Sequence, residues 1–138
     1  MKTRVIVSAV IEKEGFLLFG KKASNIGPYP NTWHLIWGWI EENESLIDAI
    51  KREIFEESGI TVEIVESLGF DEDYEPNKHG ELTHYIFLVY RAKYVSWEIR
   101  ADDDIVHLEW ISKDILSSVP LNKPSLKLFR KMEYILLD

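Results

Sequence analysis

Hydrophobic and polar positions follow one another along this chain in short runs that read mostly as strands. Val5 to Ile11 and Phe16 to Gly20 are apolar, β-branched or aromatic, and Glu12-Lys13-Glu14-Gly15 between them predicts a hairpin. The first run is too uniformly apolar for a half-exposed strand, so it belongs in the middle of a sheet, covered on both faces. Ser24 to Thr32 carries two prolines, a glycine and two asparagines and reads as a loop, either a plain connector or a lid. Trp33 to Trp37 then resumes an extended run.

The period changes at Ser45. Ser-x-x-Asp48 forms a capping box, Leu46, Ile47, Ile50 and Ile54 recur at helical spacing, and Gly59 stops the helix. Beyond it, Thr61 to Phe70 reads as a strand, Asp71 to Gly80 as a polar loop, Leu82 to Ala92 as a strong strand, and Lys93 to Ile99 as a short strand or its continuation. Asp102 to Asp104 make a turn before the strand Ile105 to Ile111, Ser112 to Leu116 a short helix, and Ser125 to Leu137 a longer C-terminal one. No internal repeat, linker or low-complexity tract interrupts this order. Strands and helices interleave with hairpins, which predicts an α+β fold with a mixed β-sheet flanked by helices, in one domain spanning 1–138.

Composition narrows the partners. A chain of 138 residues can bury a core without staples, and with no cysteine it has neither a disulfide framework nor a thiolate metal site. Lys2 and Arg4 ahead of an apolar run suggest a signal peptide, but Glu12 to Glu14 end that run too early and no small-residue cleavage pattern follows. With no apolar stretch of membrane-spanning length, the expectation is a soluble cytoplasmic protein without a membrane partner. The net charge of -8 argues against a nucleic-acid polymer, whose binding is driven by lysine and arginine. An anionic small molecule fits only if much of this acidity surrounds divalent cations, which reverse the local field.

The helix carries the candidate chemistry. Glu53, Glu56 and Glu57, at i, i+3 and i+4, fill an arc of roughly 100° beside the apolar arc, so three carboxylates face one point. Taken alone, a Glu-Glu pair is usually a solvated acidic face. The spacing around it reverses that reading: Gly38, five residues, Glu44, seven residues, Arg52-Glu53, Ile54, one residue, Glu56-Glu57, one residue, Gly59 and Ile60. Such a pattern arises by chance about once in a billion starting positions. With it, the chain resembles the Nudix hydrolases, MutT-like members among them, a family that cleaves nucleoside diphosphates linked to another group.

The resemblance implies an α/β/α sandwich and a hard divalent cation, Mg²⁺ or Mn²⁺, held by oxygen ligands. It implies that Glu53, Glu56 and Glu57 are metal ligands or the catalytic base, with Glu53 the choice for the base. Arg52, four residues before Glu56, supports the carboxylates as part of the catalytic machinery. Gly38 lets the backbone pass close to the ion or phosphate. Glu44 either joins the metal shell or stabilises the helix N-terminus.

Ahead of the helix the chain departs from many relatives. Trp37 stands where they place a glycine whose carbonyl is a metal ligand, which a tryptophan can supply only if the backbone angles suit a side chain. Asn43 stands where glycine is common, and Asn tolerates a left-handed backbone.

Outside the box, Asp104 resembles a further metal ligand or base, with an ordinary turn residue as the alternative. Lys22 resembles a phosphate contact, or is a surface lysine. Asn122 resembles an asparagine that reads a purine, or begins a helix. His84-Tyr85 resembles triphosphate-cleaving members, and Pro76 ADP-ribose-cleaving ones. Trp33, His34 and Trp39 either stack on a base or belong to the core.

The implied reaction is hydrolysis of a nucleoside triphosphate, non-standard or oxidised purines included, to monophosphate and pyrophosphate, by a monomer or homodimer. The alternatives are a nucleoside diphosphate sugar such as ADP-ribose, or a silent nucleotide-binding module.

Overall fold

In the computed structural model, residues 1–22, 29, 31–96 and 105–135 are described. Strand β1 (Lys2–Lys13) turns through Glu14 and Gly15, both at positive φ, into the antiparallel β2 (Phe16–Lys22). The run Trp33 to Trp37 divides at Leu35 into β3 (Trp33–His34), paired with β2, and β4 (Ile36–Trp39), paired antiparallel with β1. Helix α1 (Leu46–Ser58) follows, then the long hairpin of β5 (Thr61–Pro76) and β6 (Leu82–Ser96), then β7 (Ile105–Ser112) on the other side of β2. A 3-10 helix (Lys113–Ser118) and α2 (Lys123–Lys131) complete the order.

β1 pairs with β6 in parallel and with β2 and β4 antiparallel, so the sheet is mixed and β1 is central. All six residues from Ile6 to Ile11 are buried. Alternation explains it: Val7, Ala9 and Ile11 pack under α1 with Ile50 and Ile54, whereas Ile6 and Val10 pack with Phe87, Leu116 and Phe129 on the face of α2. Among the described residues no helix is long and apolar enough to cross a membrane.

Three expectations are corrected. Asp71 to Pro76 is strand, not loop, and the turn is confined to Asn77–Glu81. The acidic alternation is tolerated because Asp71 and Asp73 on one sheet face meet Lys127 and Lys123, four apart on α2, at 2.9 and 3.1 Å. The C-terminal helix begins at Lys123 and ends at Lys131, because Glu133 takes φ 62° and the Tyr134 N–H turns back to the Phe129 carbonyl. Leu46 and Ile47 are exposed, and the buried stripe of α1 is Ala49, Ile50, Ile54 and Ser58. Asp102 to Asp104 lie outside the described residues.

Candidate active site

α1 is fixed at both ends by local chemistry. The Ser45 side chain accepts the Asp48 N–H at 3.1 Å, and Gly59, at φ 76°, donates its N–H to the Phe55 carbonyl. Its buried stripe sits on β1, which turns the neighbouring arc, Glu53, Glu56 and Glu57, toward the end of β4.

Arg52 organises that edge. Nε and Nη2 fork onto Glu44 at 2.7 and 2.9 Å, Nη1 donates to Glu53 at 2.8 Å and Glu56 at 3.1 Å, and Nη2 donates to the Trp39 carbonyl at 2.9 Å. All five guanidinium N–H groups are engaged. The helix, the turn before it and β4 are thereby joined at one side chain. The Glu44 contact, more than any other, holds Arg52 protonated well above its ordinary range, and the same hydrogen bond holds the Glu44 carboxyl low. Glu44 is therefore the partner of Arg52, with its second contact from the Glu41 N–H, a role that neither reading of the sequence proposed. An eight-residue spacing across a helix start carries no periodic signal that would have paired them.

Glu53 sits against Gly38. A Cβ on Gly38 would lie 2.1 Å from Glu53 Cδ and 2.3 Å from Cγ and Oε2. Gly38 is not among the residues at positive φ, so glycine is needed for space and not for backbone angle. Burial raises the Glu53 carboxyl above the usual carboxylate range, with the Arg52 contact opposing. Trp37 lies in β4 opposite Ser8 without a left-handed backbone, and Asn43 absorbs the strained position with φ 61°. Trp37 and Asn43 are thus accommodated by an extended strand and by the tolerance of asparagine for a left-handed backbone.

A cavity of about 940 Å³ opens beside this edge. Glu53, Glu56, Glu57, Trp37, Gly38 and Asn122 all line it, with Ser8, Tyr85 and Phe87 on the sheet side and Leu128 from α2. Trp39 meets Trp37 edge to face at 5.3 Å, and Arg4 lies over the Trp39 ring at 4.2 Å. In the cavity wall, Tyr29 donates its hydroxyl to Asp73 at 2.6 Å, and Lys123 donates to the same carboxylate. Sequence alone gave no sign of Arg4 or Tyr29, because only the pairing of β1 with β4, and of β5 with α2, brings their partners near.

The remaining expectations divide. Asn122 caps α2, accepting the Ser125 N–H at 3.1 Å, while still facing the cavity. His84 and Tyr85 point to opposite faces: Tyr85 lines the cavity, whereas His84 stacks on Tyr74 at 4.5 Å and contacts Glu72 at 2.9 Å. His34 is buried, with Nδ1 2.8 Å from the Leu35 carbonyl oxygen. Pro76 ends β5 opposite Leu82. Lys22 ends β2, with its side chain outside the described residues, and Asp104 is outside them entirely. Among the described residues no three acidic or histidine side chains converge closely enough to hold an ion, since Arg52 draws Glu53 and Glu56 onto its own nitrogens.

The NUDIX domain family model matches residues 1–132. The nucleoside triphosphatase NudI of Enterobacter sp. (strain 638) is 28% identical over 129 residues, covering 89% of this chain and 92% of that protein. The MutT NUDIX hydrolase of Burkholderia pseudomallei superposes with a TM-score of 0.79 at 28% identity, over 99% of this chain and 100% of that one. The NUDIX domain of Shewanella oneidensis NrtR, solved in complex with ADP ribose, shares the fold at a TM-score of 0.72 and 18% identity, over 96% of this chain and 88% of that one. The spacing from Gly38 to Ile60 folds as one strand-to-helix unit, and the family match runs past the end of α2: the chain belongs to the Nudix hydrolase family.

Proposed function

We propose that the protein is a Mg²⁺- or Mn²⁺-dependent pyrophosphohydrolase that splits a nucleoside triphosphate into a monophosphate and pyrophosphate. The observation that carries this reading is the carboxylate edge of α1 opening into a cavity of nucleotide size with apolar walls. The likeness to a nucleoside triphosphatase over most of the chain supports the triphosphate.

The donor types suit a hard divalent ion, all being oxygen, from Glu53, Glu56, Glu57 and the Trp37 carbonyl; to hold it, Glu53 and Glu56 would turn from the Arg52 nitrogen that binds them in this structure. When bound, such an ion supplies charge neutralisation at the phosphoryl oxygens and a more acidic water. Glu53, with its proton affinity raised by burial, takes the proton of the attacking water as the oxygen–phosphorus bond forms and the α–β anhydride P–O bond breaks, its electron pair leaving on the bridging oxygen, which departs with pyrophosphate or with the monophosphate according to the phosphorus attacked. Arg52 positions Glu53 and Glu56. In this reading Asp104 adds a ligand or base, Lys22 contacts phosphate, and Asn122 offers its amide to a purine edge.

The cavity volume also suits a nucleoside diphosphate sugar, and the NrtR domain was solved with ADP ribose. A panel of nucleoside triphosphates and diphosphate sugars with Mg²⁺, scoring phosphate and pyrophosphate separately, decides. Pyrophosphate from triphosphates alone supports the proposal, turnover of ADP-ribose alone replaces it with the second reading, and binding without turnover of either makes the protein a silent module.

A further inference from the structure

We propose that Arg4 is a substrate-binding residue that holds the polyphosphate chain where it extends beyond the carboxylate edge, with Trp39 as its brace. The proposal rests on the hydrolase reading above and names a cation that reading leaves unassigned.

The geometry begins with strand alternation. Arg4, Ile6 and Ser8 share the cavity face of β1, and β4 runs antiparallel beside it with Trp39 opposite Ile6. Arg4 is therefore next to Trp39 along that face, and its Cζ lies 4.2 Å from the indole centroid. Trp39 is itself braced edge to face by Trp37. A guanidinium held over an indole keeps its charge and loses rotamer freedom, while N–H groups not facing the ring stay open to a phosphate.

Arg4 is exposed, and among the described residues it forms no ion pair. The other basic groups near the cavity are differently placed. Arg52 has every N–H engaged, and Lys123 and Lys127 are tied to Asp73 and Asp71. Lys78, in the hairpin turn, and Lys131, at the end of α2, line the cavity, and among the described residues neither lies over an aromatic ring. Trp39 also links the two halves of the site, since its carbonyl accepts from Arg52 and its ring carries Arg4. A polyphosphate reaching from the glutamates across Trp39 meets Arg4 next.

The test separates phosphate from base by using inorganic tripolyphosphate, which has no base. Its binding to the full chain in Mg²⁺ buffer is measured by calorimetry for wild type, Arg4→Ala and Arg4→Lys. The expected result is a dissociation constant raised about tenfold in Arg4→Ala, the scale of one charge-assisted hydrogen bond, and partly restored in Arg4→Lys. In nucleotide assays the same variants should raise KM and leave kcat within about twofold. Equal tripolyphosphate affinity in wild type and Arg4→Ala overturns the proposal, as does a wild-type protein that binds none. If the nucleotide panel shows no turnover while tripolyphosphate binding depends on Arg4, the hydrolase reading falls and Arg4 stands.

Discussion

At Gly38 the side chain that matters belongs to another residue. A methyl group there would overlap Glu53 from Cγ to Oε2, so the glycine of the motif is a space holder for a carboxylate. Gly38→Ala should cost about 1–3 kcal/mol in the wild-type background, the scale of an overpacked site. In a Glu53→Ala background the same change should cost close to nothing. A double-mutant cycle in urea measures this, and equal costs in both backgrounds would show that the backbone, not Glu53, demands the glycine. Glu57 separates structure from chemistry in the other direction. Glu57→Gln keeps size and removes charge at the cavity wall, so Mg²⁺-dependent turnover should fall by about a hundredfold with the thermal midpoint nearly unchanged. Near-wild-type rates at saturating Mg²⁺ would remove Glu57 from the metal-binding set.

Helix α1 delivers these residues, and its two ends were readable because each is a local device. Ser45 caps through its own hydroxyl, and Gly59 reaches φ 76° as few other residues can. Ser45→Ala should cost about 1 kcal/mol and Gly59→Ala about 1–2 kcal/mol. Thirteen residues of helix separate the sites by about 20 Å, so chemical denaturation of the double variant should return the sum within about 0.5 kcal/mol. Elements defined by partners were harder to read. Asp71 to Pro76 has the composition of a loop and becomes strand because β6 pairs with it and α2 supplies lysines opposite its aspartates. That Glu53, Glu56 and Glu57 share one arc of α1 is legible from helical period alone, and their function only from the spacing around them. Arg4 and the Glu44 fork are not, since strand neighbours and a turn of the chain create both contacts.

At the scale of the whole molecule, three separate pieces of chain meet at Asp73, beside the cavity that Tyr29 lines. Burial alone would raise the Asp73 carboxyl; hydrogen bonds from Tyr29, Lys123 and the Tyr74 N–H outweigh it and hold it below its ordinary range. Tyr29 is pushed in the opposite direction, upward, by burial first and by the Asp73 carboxylate second. One contact therefore touches both limbs of the pH–stability curve. A carboxyl with a depressed folded pKa contributes stability that is present above its unfolded value, about 3.9, and lost as pH falls through the folded one. A tyrosine with a raised folded pKa contributes stability that is present below about pH 10 and lost as pH rises toward the folded one. The difference in unfolding free energy between wild type and Tyr29→Phe should then form a plateau from about pH 5 to 9 and shrink on both sides. Its height should be about 1 kcal/mol, a hydrogen bond to a charged group discounted for the partly exposed tyrosine. Urea titrations at intervals from pH 3 to pH 11 measure it. Asp73→Asn, which keeps an acceptor without the charge, should abolish the acid decline while leaving the Tyr29 hydroxyl a neutral partner. A difference that stays flat into acid would mean that Asp73 is not what ties Tyr29 to the β5 ribbon.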